Sequence, residues 1–485
     1  MTQIHPDHSS SSPVEQPAHR FDYYYREGMD LRPAPRGYAA SELWQPLRRF
    51  LLTPWRPVED GPSQTPLARL HADHRWQSDE LMDDVVAMFH REGPARGRQL
   101  FDTALEDGIA TLDDPPRELV RLFDKLDNPP ARFAPERIEA GRRVWLSRSP
   151  LGRATELTVN LINTIMAPDV SAAVGATGRF ARDGMRRNLE TFAFFETVTR
   201  ADALTRHGDG FKDVVRIGLM HAQVSRALRK TWGPDAYDQY GAPISASGLA
   251  AGYLAFGLVP LFYDHALGHT CTPADMEAVT DYWGYIAYLL GAPAYLIPDT
   301  ATDIIDYGDY IVTHIGEPSA WTPEVARVLV DTTTDIPLSL APDTAWARQI
   351  LSPVSRHLFT PLLLGHLTHL FGPTVVSTAI AHTRYRTLNL NSWAILGGAL
   401  SMTLVRGSSI GHQLRTLGGR RTLPTPPVDP LIKALHTRYH AYTQRHTNLT
   451  TVYNSHDHTT TSDLAPLDPN PAQATSPRPT GPEQP

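Results

Sequence analysis

The chain has 485 residues, with 45 Lys and Arg against 52 Asp and Glu, giving a formal net charge of −7. Its 41% hydrophobic and 20% charged content describes a globular chain long enough for a sizeable core, in one large or two ordinary domains. That balance leaves no basic face, so no nucleic-acid partner is expected, and the single cysteine, Cys271, excludes an internal disulfide and any cysteine-built zinc or iron–sulfur site.

In chain order, residues 1–40 read as a flexible N-terminal arm of His, Ser and Pro that ends in an aromatic patch, Phe21-Asp-Tyr-Tyr-Tyr25. No apolar signal-peptide core precedes it, which predicts a cytoplasmic protein. Asp79–His90 is amphipathic, with Leu81, Val85, Met88 and Phe89 inward. Pro116–Leu126 puts Leu119, Leu122, Phe123 and Leu126 on one face. Ala134-Pro135-Glu136 starts a further helix with Pro in its first turn. Thr272-Pro-Ala-Asp275 is a capping box whose helix runs to about Leu290 and stops at Gly291, with Pro293 beyond; Thr322-Pro-Glu324 repeats the start signal.

Two runs, Ile244–Tyr263 and Thr387–Val405, are uncharged over twenty and nineteen residues and could span a bilayer by length. Their Ser, Gly, Pro and Asn content, without aromatic and basic anchors at both ends, predicts buried core helices and no transmembrane anchor. The Pro/Thr-rich stretch 446–485 reads as a disordered tail. With no strand alternation, hairpin series or repeat, the fold class is all-α, one helical domain over 41–445.

The chemistry concentrates around His221. Val214, Ile217, Gly218, Val224 and Leu228 share its helix face at 3.6 residues per turn, and Arg216 and Arg226 fall off that stripe. An imidazole in an apolar wall is either a core histidine bonded to a carbonyl or a metal ligand, as for haem iron. Thirty residues before it, Thr191 shares a side of the preceding helix with Arg187, Glu190, Phe194 and Val198. Arg187 and Glu190 form either a surface ion pair or the polar face of a site.

Other motifs carry less. Gly407-Ser-Ser409-Ile-Gly411 has the spacing of a serine-hydrolase elbow but lacks the parallel sheet that elbow needs. His265 and His269 have i, i+4 spacing at a helix end, and His436, His440 and His446 lie toward the tail; solvated histidines are the expectation for both groups. Asp303, Asp306 and Asp309 predict a solvated turn or short helix. No paired Glu-x-x-His units for a di-iron site, phosphate loop or dinucleotide fingerprint is present.

The Arg187-x-x-x-Thr191 helix, followed after thirty residues by His221-Ala222, resembles the DUF2236 family, the MpaB-type oxygenases that include latex-clearing rubber oxygenases. Gly241-Ala-Pro-Ile244, Trp283-Gly-Tyr-Ile-Ala-Tyr-Leu-Leu-Gly-Ala-Pro293 and Leu296-Ile-Pro298 extend the resemblance over roughly 140 to 300. It implies a globin-like haem-binding core with added helices, b-type haem on a proximal His221, and Arg187 and Thr191 at the distal face or porphyrin edge. It also implies dioxygen as co-substrate and oxidative C=C attack on a lipophilic, unsaturated, isoprenoid-like molecule. Two positions depart from the family pattern. Glu190 stands where the rubber oxygenases carry a lysine that caps the resting iron, and Ser171 stands near their catalytic glutamate. Glu190 could act as the proton acceptor; Phe192, Phe194, Phe195 and the Leu249–Phe262 segment would line the pocket. Hydroxylation, desaturation or ring formation in secondary metabolism is the alternative chemistry, and a non-catalytic haem or lipophilic-ligand binding protein the alternative class.

Overall fold

Short polar side chains set the helix starts. Thr65, Asp79, Ser245, Thr272 and Thr300 each accept a backbone N–H two or three residues ahead, satisfying a donor the first turn leaves orphaned. Thr272 and Thr300 complete capping boxes with Asp275 and Asp303. The computed structural model describes residues 20–148, 152, 166–176, 194–339, 345–400 and 402–403. Among them there is no strand, and the all-α expectation holds.

The helices are α1 (Gln45–Leu52), α2 (Pro66–Asp73), α3 (Glu80–Glu92), α4 (Pro94–Asp107), α5 (Arg117–Asp127), α6 (Pro135–Leu146), α7 (Pro168–Ala176), α8 (Asp209–Arg229) and α9 (Pro234–Tyr240). There follow α10 (Ala246–Ala266), α11 (Pro273–Leu289), α12 (Ala301–Thr313), α13 (Thr322–Ser339), α14 (Ala345–Val354), α15 (Thr360–Phe371), α16 (Pro373–Ile380) and α17 (Leu390–Leu400). A π turn, Ser355–Phe359, joins α14 to α15 in one unbroken helical run.

Helix α11 is the axis of the core, packed on by α6, α8, α10 and α12, and its Met276, Val279, Trp283 and Ile286 are fully buried. Two glycines permit that packing. A Cβ on Gly141 of α6 would lie 2.0 Å from the Ala278 carbonyl oxygen, and one on Gly257 of α10 would lie 2.4 Å from the Trp283 ring. Helix α11 ends as its sequence predicts, at Gly291 with φ +116°, where a side chain would be strained. The stripes on α3 and α5 are buried as expected, except that Leu81 is only partly so.

At the end of the expected N-terminal arm, residues 20–40 lie on the body. Phe21, Tyr23 and Tyr38 are buried, and the Tyr23 hydroxyl donates to Asp73 at 2.6 Å. The two uncharged runs behave differently. Helix α10 is the one helix among the described residues long and apolar enough to cross a membrane, and it is mostly buried, as expected. The second run departs from expectation: Ile395, Leu396 and Leu400 of α17 are exposed. Absence of charge fixes only that a run is apolar, while covering it requires neighbours on every side.

Candidate active site

Helix α8 carries His221 on its inward stripe. Val214, Ile217, Gly218 and Leu228 of that stripe are buried, as is Ser225 one turn on, whose hydroxyl donates to the Pro243 carbonyl at 2.6 Å. His221 itself is only half-buried. Val224 of the same stripe is likewise only partly buried, and the His221 Nδ1 is itself enclosed. Gly218 lets α8 approach the end of α11, since a Cβ there would stand 3.4 Å from the Leu290 carbonyl oxygen and 3.3 Å from Met82 Cε.

Off the stripe, on the opposite side of α8, is a polar cleft of about 260 Å³ lined by Glu106, Arg200, Asp209, Lys212, Asp213 and Arg216, among others. Within it Glu106 accepts from Lys212 at 2.5 Å and from Arg216, and these cations hold its carboxyl below the usual range. Arg216 thus behaves as its off-stripe position predicts.

A helical stretch at 194–198 and α10 build an aromatic wall. Phe195 meets Phe256 with ring centroids 4.9 Å apart and Trp283 at 5.7 Å, and Phe194 meets Tyr253 at 6.1 Å. Most of the Leu249–Phe262 segment is therefore core rather than open pocket. The exception is one flank of α10, where Gly252, Tyr253 and Ala255 stay half-exposed; no described atom lies within 4 Å of where a Gly252 Cβ would stand. Helices α8 and α10 both pack on α11 and make little contact with each other.

An iron porphyrin needs one axial donor and an apolar, open-sided setting. The donor chemistry fits: a half-buried histidine on a largely buried apolar stripe, and an aromatic flank on α10 that is half-exposed at Tyr253. No group of three or more His, Cys, Asp or Glu suited to a bare metal ion occurs among the described residues. Arg187, Glu190, Thr191 and Phe192 lie outside the described residues, as do Ser409 and the histidines at 436, 440 and 446.

The position expected near a catalytic glutamate holds Ser171, fully buried in a hydroxyl cluster with Ser319 at 2.7 Å and Thr322 at 3.1 Å. Two carboxylates lie where the sequence suggests no acid, Asp169 buried and Asp79 partly buried with its Oδ2 enclosed. Asp169, two residues before Ser171, accepts the Val170 N–H at 2.9 Å. Asp79 caps α3 through Oδ1, and its other oxygen, Oδ2, has no hydrogen-bond partner. That oxygen lies under Gly291, where a Cβ would stand 2.1 Å away, and the adjoining Leu290 touches Gly218, one turn before His221. Burial raises its pKa to about 6, opposed by Lys125, whose own pKa burial lowers. An Asp before an amphipathic run signals a helix cap; nothing local marks its Oδ2 as enclosed.

The remaining candidates are structural. His265 stacks on Trp55 with centroids 3.8 Å apart and accepts the Cys271 N–H. The aspartate triplet lies on a helix, one of the two settings expected for it, with Asp303 exposed and Asp306 partly so; the buried Asp309 is a correction to the solvated expectation. Asp303 caps α12, Asp306 accepts from Ser63 at 3.0 Å, and Asp309 is buried against Arg48 at 2.6 Å.

Residues 142–390 match the family model described as ER-bound oxygenase mpaB/B'/rubber oxygenase, catalytic domain. The chain belongs to this oxygenase family. Among solved structures it is similar to latex clearing protein in its closed state, at 17% identity over 77% of this chain and 91% of that one, with a TM-score of 0.51. At that identity the likeness is one of fold, the same all-helical architecture. No curated protein matches the oxygenase in sequence. The family match spans α8, α10 and α11, the helices that carry His221 and the aromatic wall.

Proposed function

We propose that this oxygenase binds haem b through His221 and acts with dioxygen on a lipophilic, unsaturated, isoprenoid-like small molecule by oxidative attack on a C=C bond. The observation that carries the reading is the position of the half-buried His221 on the largely buried stripe of α8, in a chain whose family is one of oxygenases. Bound at His221, the iron porphyrin supplies an open metal position for dioxygen.

The chain's own residues do the rest. His221 would hold the iron through one ring nitrogen, and the bonding of the other would fix its tautomer. Arg187 offers fixed positive charge to a propionate or to developing negative charge, and Thr191 offers a hydroxyl hydrogen bond. Glu190 accepts an allylic proton from the substrate, a role that needs its pKa raised by burial. Tyr253, backed by the buried Phe194 and Phe256, presents an apolar surface to the substrate chain.

Ser171, which carries no carboxylate, favours a redirected reaction as second reading: hydroxylation, desaturation or ring formation, or in the limit a non-catalytic haem or lipophilic-ligand binding protein. The visible spectrum of the purified chain beside His221→Ala tests the first claim. A Soret band in the parent, lost or shifted in the variant, is expected; no Soret band with haem in excess refutes it. Oxygen consumption with reductant and an unsaturated lipid then separates oxygenase from carrier, and unchanged turnover in Glu190→Gln removes Glu190 as the base.

A further inference from the structure

Single exposed apolar side chains are ordinary on a protein surface; contiguous ones call for a partner. On α14 and the π turn, Trp346, Ile350, Val354 and Leu358 recur at four-residue steps and are all exposed, Trp346 by 63%. On α17, Ile395, Leu396 and Leu400 are exposed, Ile395 by 74%. The two stripes sit on packed neighbours. Helix α14 runs through the π turn into α15, and α17 is pressed on α15 where Gly397 meets the Leu362 carbonyl and Gly365 meets the Trp393 backbone. The segment leading into α17 is tied to the π turn by the Tyr385 hydroxyl, which donates to the Arg356 carbonyl at 3.1 Å.

Charge singles out the same region. The described residues 345–400 and 402–403 contain four arginines and no Asp, Glu or Lys, in a chain of net charge −7. Arg356, Arg384 and Arg386 are exposed, Arg356 in the π turn and the other two on the segment that leads into α17. The acids on neighbouring α13, Glu324 and Asp331, are engaged by Arg327 at 2.8 and 3.2 Å.

We propose that this face docks peripherally on a bilayer rich in anionic lipid, its apolar side chains entering the interface and its arginines meeting the headgroups. Apolar residues flanked by arginine without acid are what such a surface selects. A second copy of the chain fits less well, because a two-fold contact sets the same patch against itself and would oppose arginine to arginine. The proposal needs no haem and stands or falls separately from the oxygenase reading.

Co-sedimentation of the full chain tests it, with phosphatidylcholine vesicles and with vesicles carrying one third phosphatidylglycerol. Binding only to the anionic vesicles, weakened by salt, is expected. Each arginine near such a surface contributes about a factor of five in partitioning, so Arg356→Glu/Arg384→Glu/Arg386→Glu should fall to background. Ile350→Glu/Leu396→Glu should do the same, with an unchanged melting temperature because both sites are exposed. Independently, Leu396→Cys carrying an environment-sensitive dye should blue-shift on the anionic vesicles, while Cys271 is buried and stays unlabelled. The proposal is overturned if the parent ignores anionic vesicles or the variants bind as it does. It is equally overturned if light scattering shows a dimer, abolished by Ile350→Glu/Leu396→Glu, in place of vesicle binding.

Discussion

Asp79→Asn tests how the interior beneath α8 is built. Burial raises the Asp79 pKa from 3.8 to about 6. Between those values the unfolded chain has released this proton and the folded chain still holds it. Stability therefore falls as pH rises through the window, and the loss is complete above about pH 6. A gap of that size corresponds to about 3 kcal/mol. Asparagine keeps the oxygen that accepts the Leu81 N–H at 3.1 Å and removes the ionisation. In urea titrations the variant should exceed the parent by about 3 kcal/mol at pH 7.5, and by under about 1 kcal/mol at pH 4.5. A variant less stable than the parent at pH 7.5, or a difference that ignores pH, would refute the reasoning. Asp79 would then be ionised and paired with Lys125 in the folded protein.

His71 should give the opposite slope. Its ring is fully buried between the Ser247 hydroxyl at 3.0 Å and the Leu296 carbonyl at 2.8 Å, and burial lowers its pKa from 6.5 to about 3. Its contribution is intact above pH 6.5 and lost as pH falls toward 3, about 5 kcal/mol in all. Acid titration of His71→Gln should show a limb shallower by one proton; an unchanged limb would place the acid sensitivity elsewhere. Arg48 and Asp309 form a buried, bidentate pair that also holds the Glu59 and Gly61 carbonyls and the Ser63 N–H. Asp309→Ala should cost about 3–5 kcal/mol, and Arg48→Met/Asp309→Leu much less, because the single change strands a buried cation. Denaturant unfolding of the two variants beside the parent checks this; a double variant as unstable as the single one contradicts it.

Local chemistry decided most of the helical frame before any packing is considered. The Thr272 capping box, the Gly291 stop and the stripes of α3, α5 and α8 depend on residues within a few turns of one another, so a linear reading finds them. The all-α class and the inward placing of the residues around His221 follow from that periodicity. Tertiary structure alone decided the rest, because burial is set by neighbours distant in sequence. Asp79 is a cap in the sequence and an enclosed acid only once Gly291 and Lys125 close over it. Arg48 and Asp309 are 261 residues apart, and no spacing rule joins them. Helices α10 and α17 are alike as uncharged runs, yet one is enclosed and the other faces outward, since hydrophobicity states a preference that only available surface can satisfy. At His221 the sequence supplied the stripe; how far each of its residues is enclosed was decided by packing, which buries Val214, Ile217 and Leu228 and leaves His221 and Val224 half-buried.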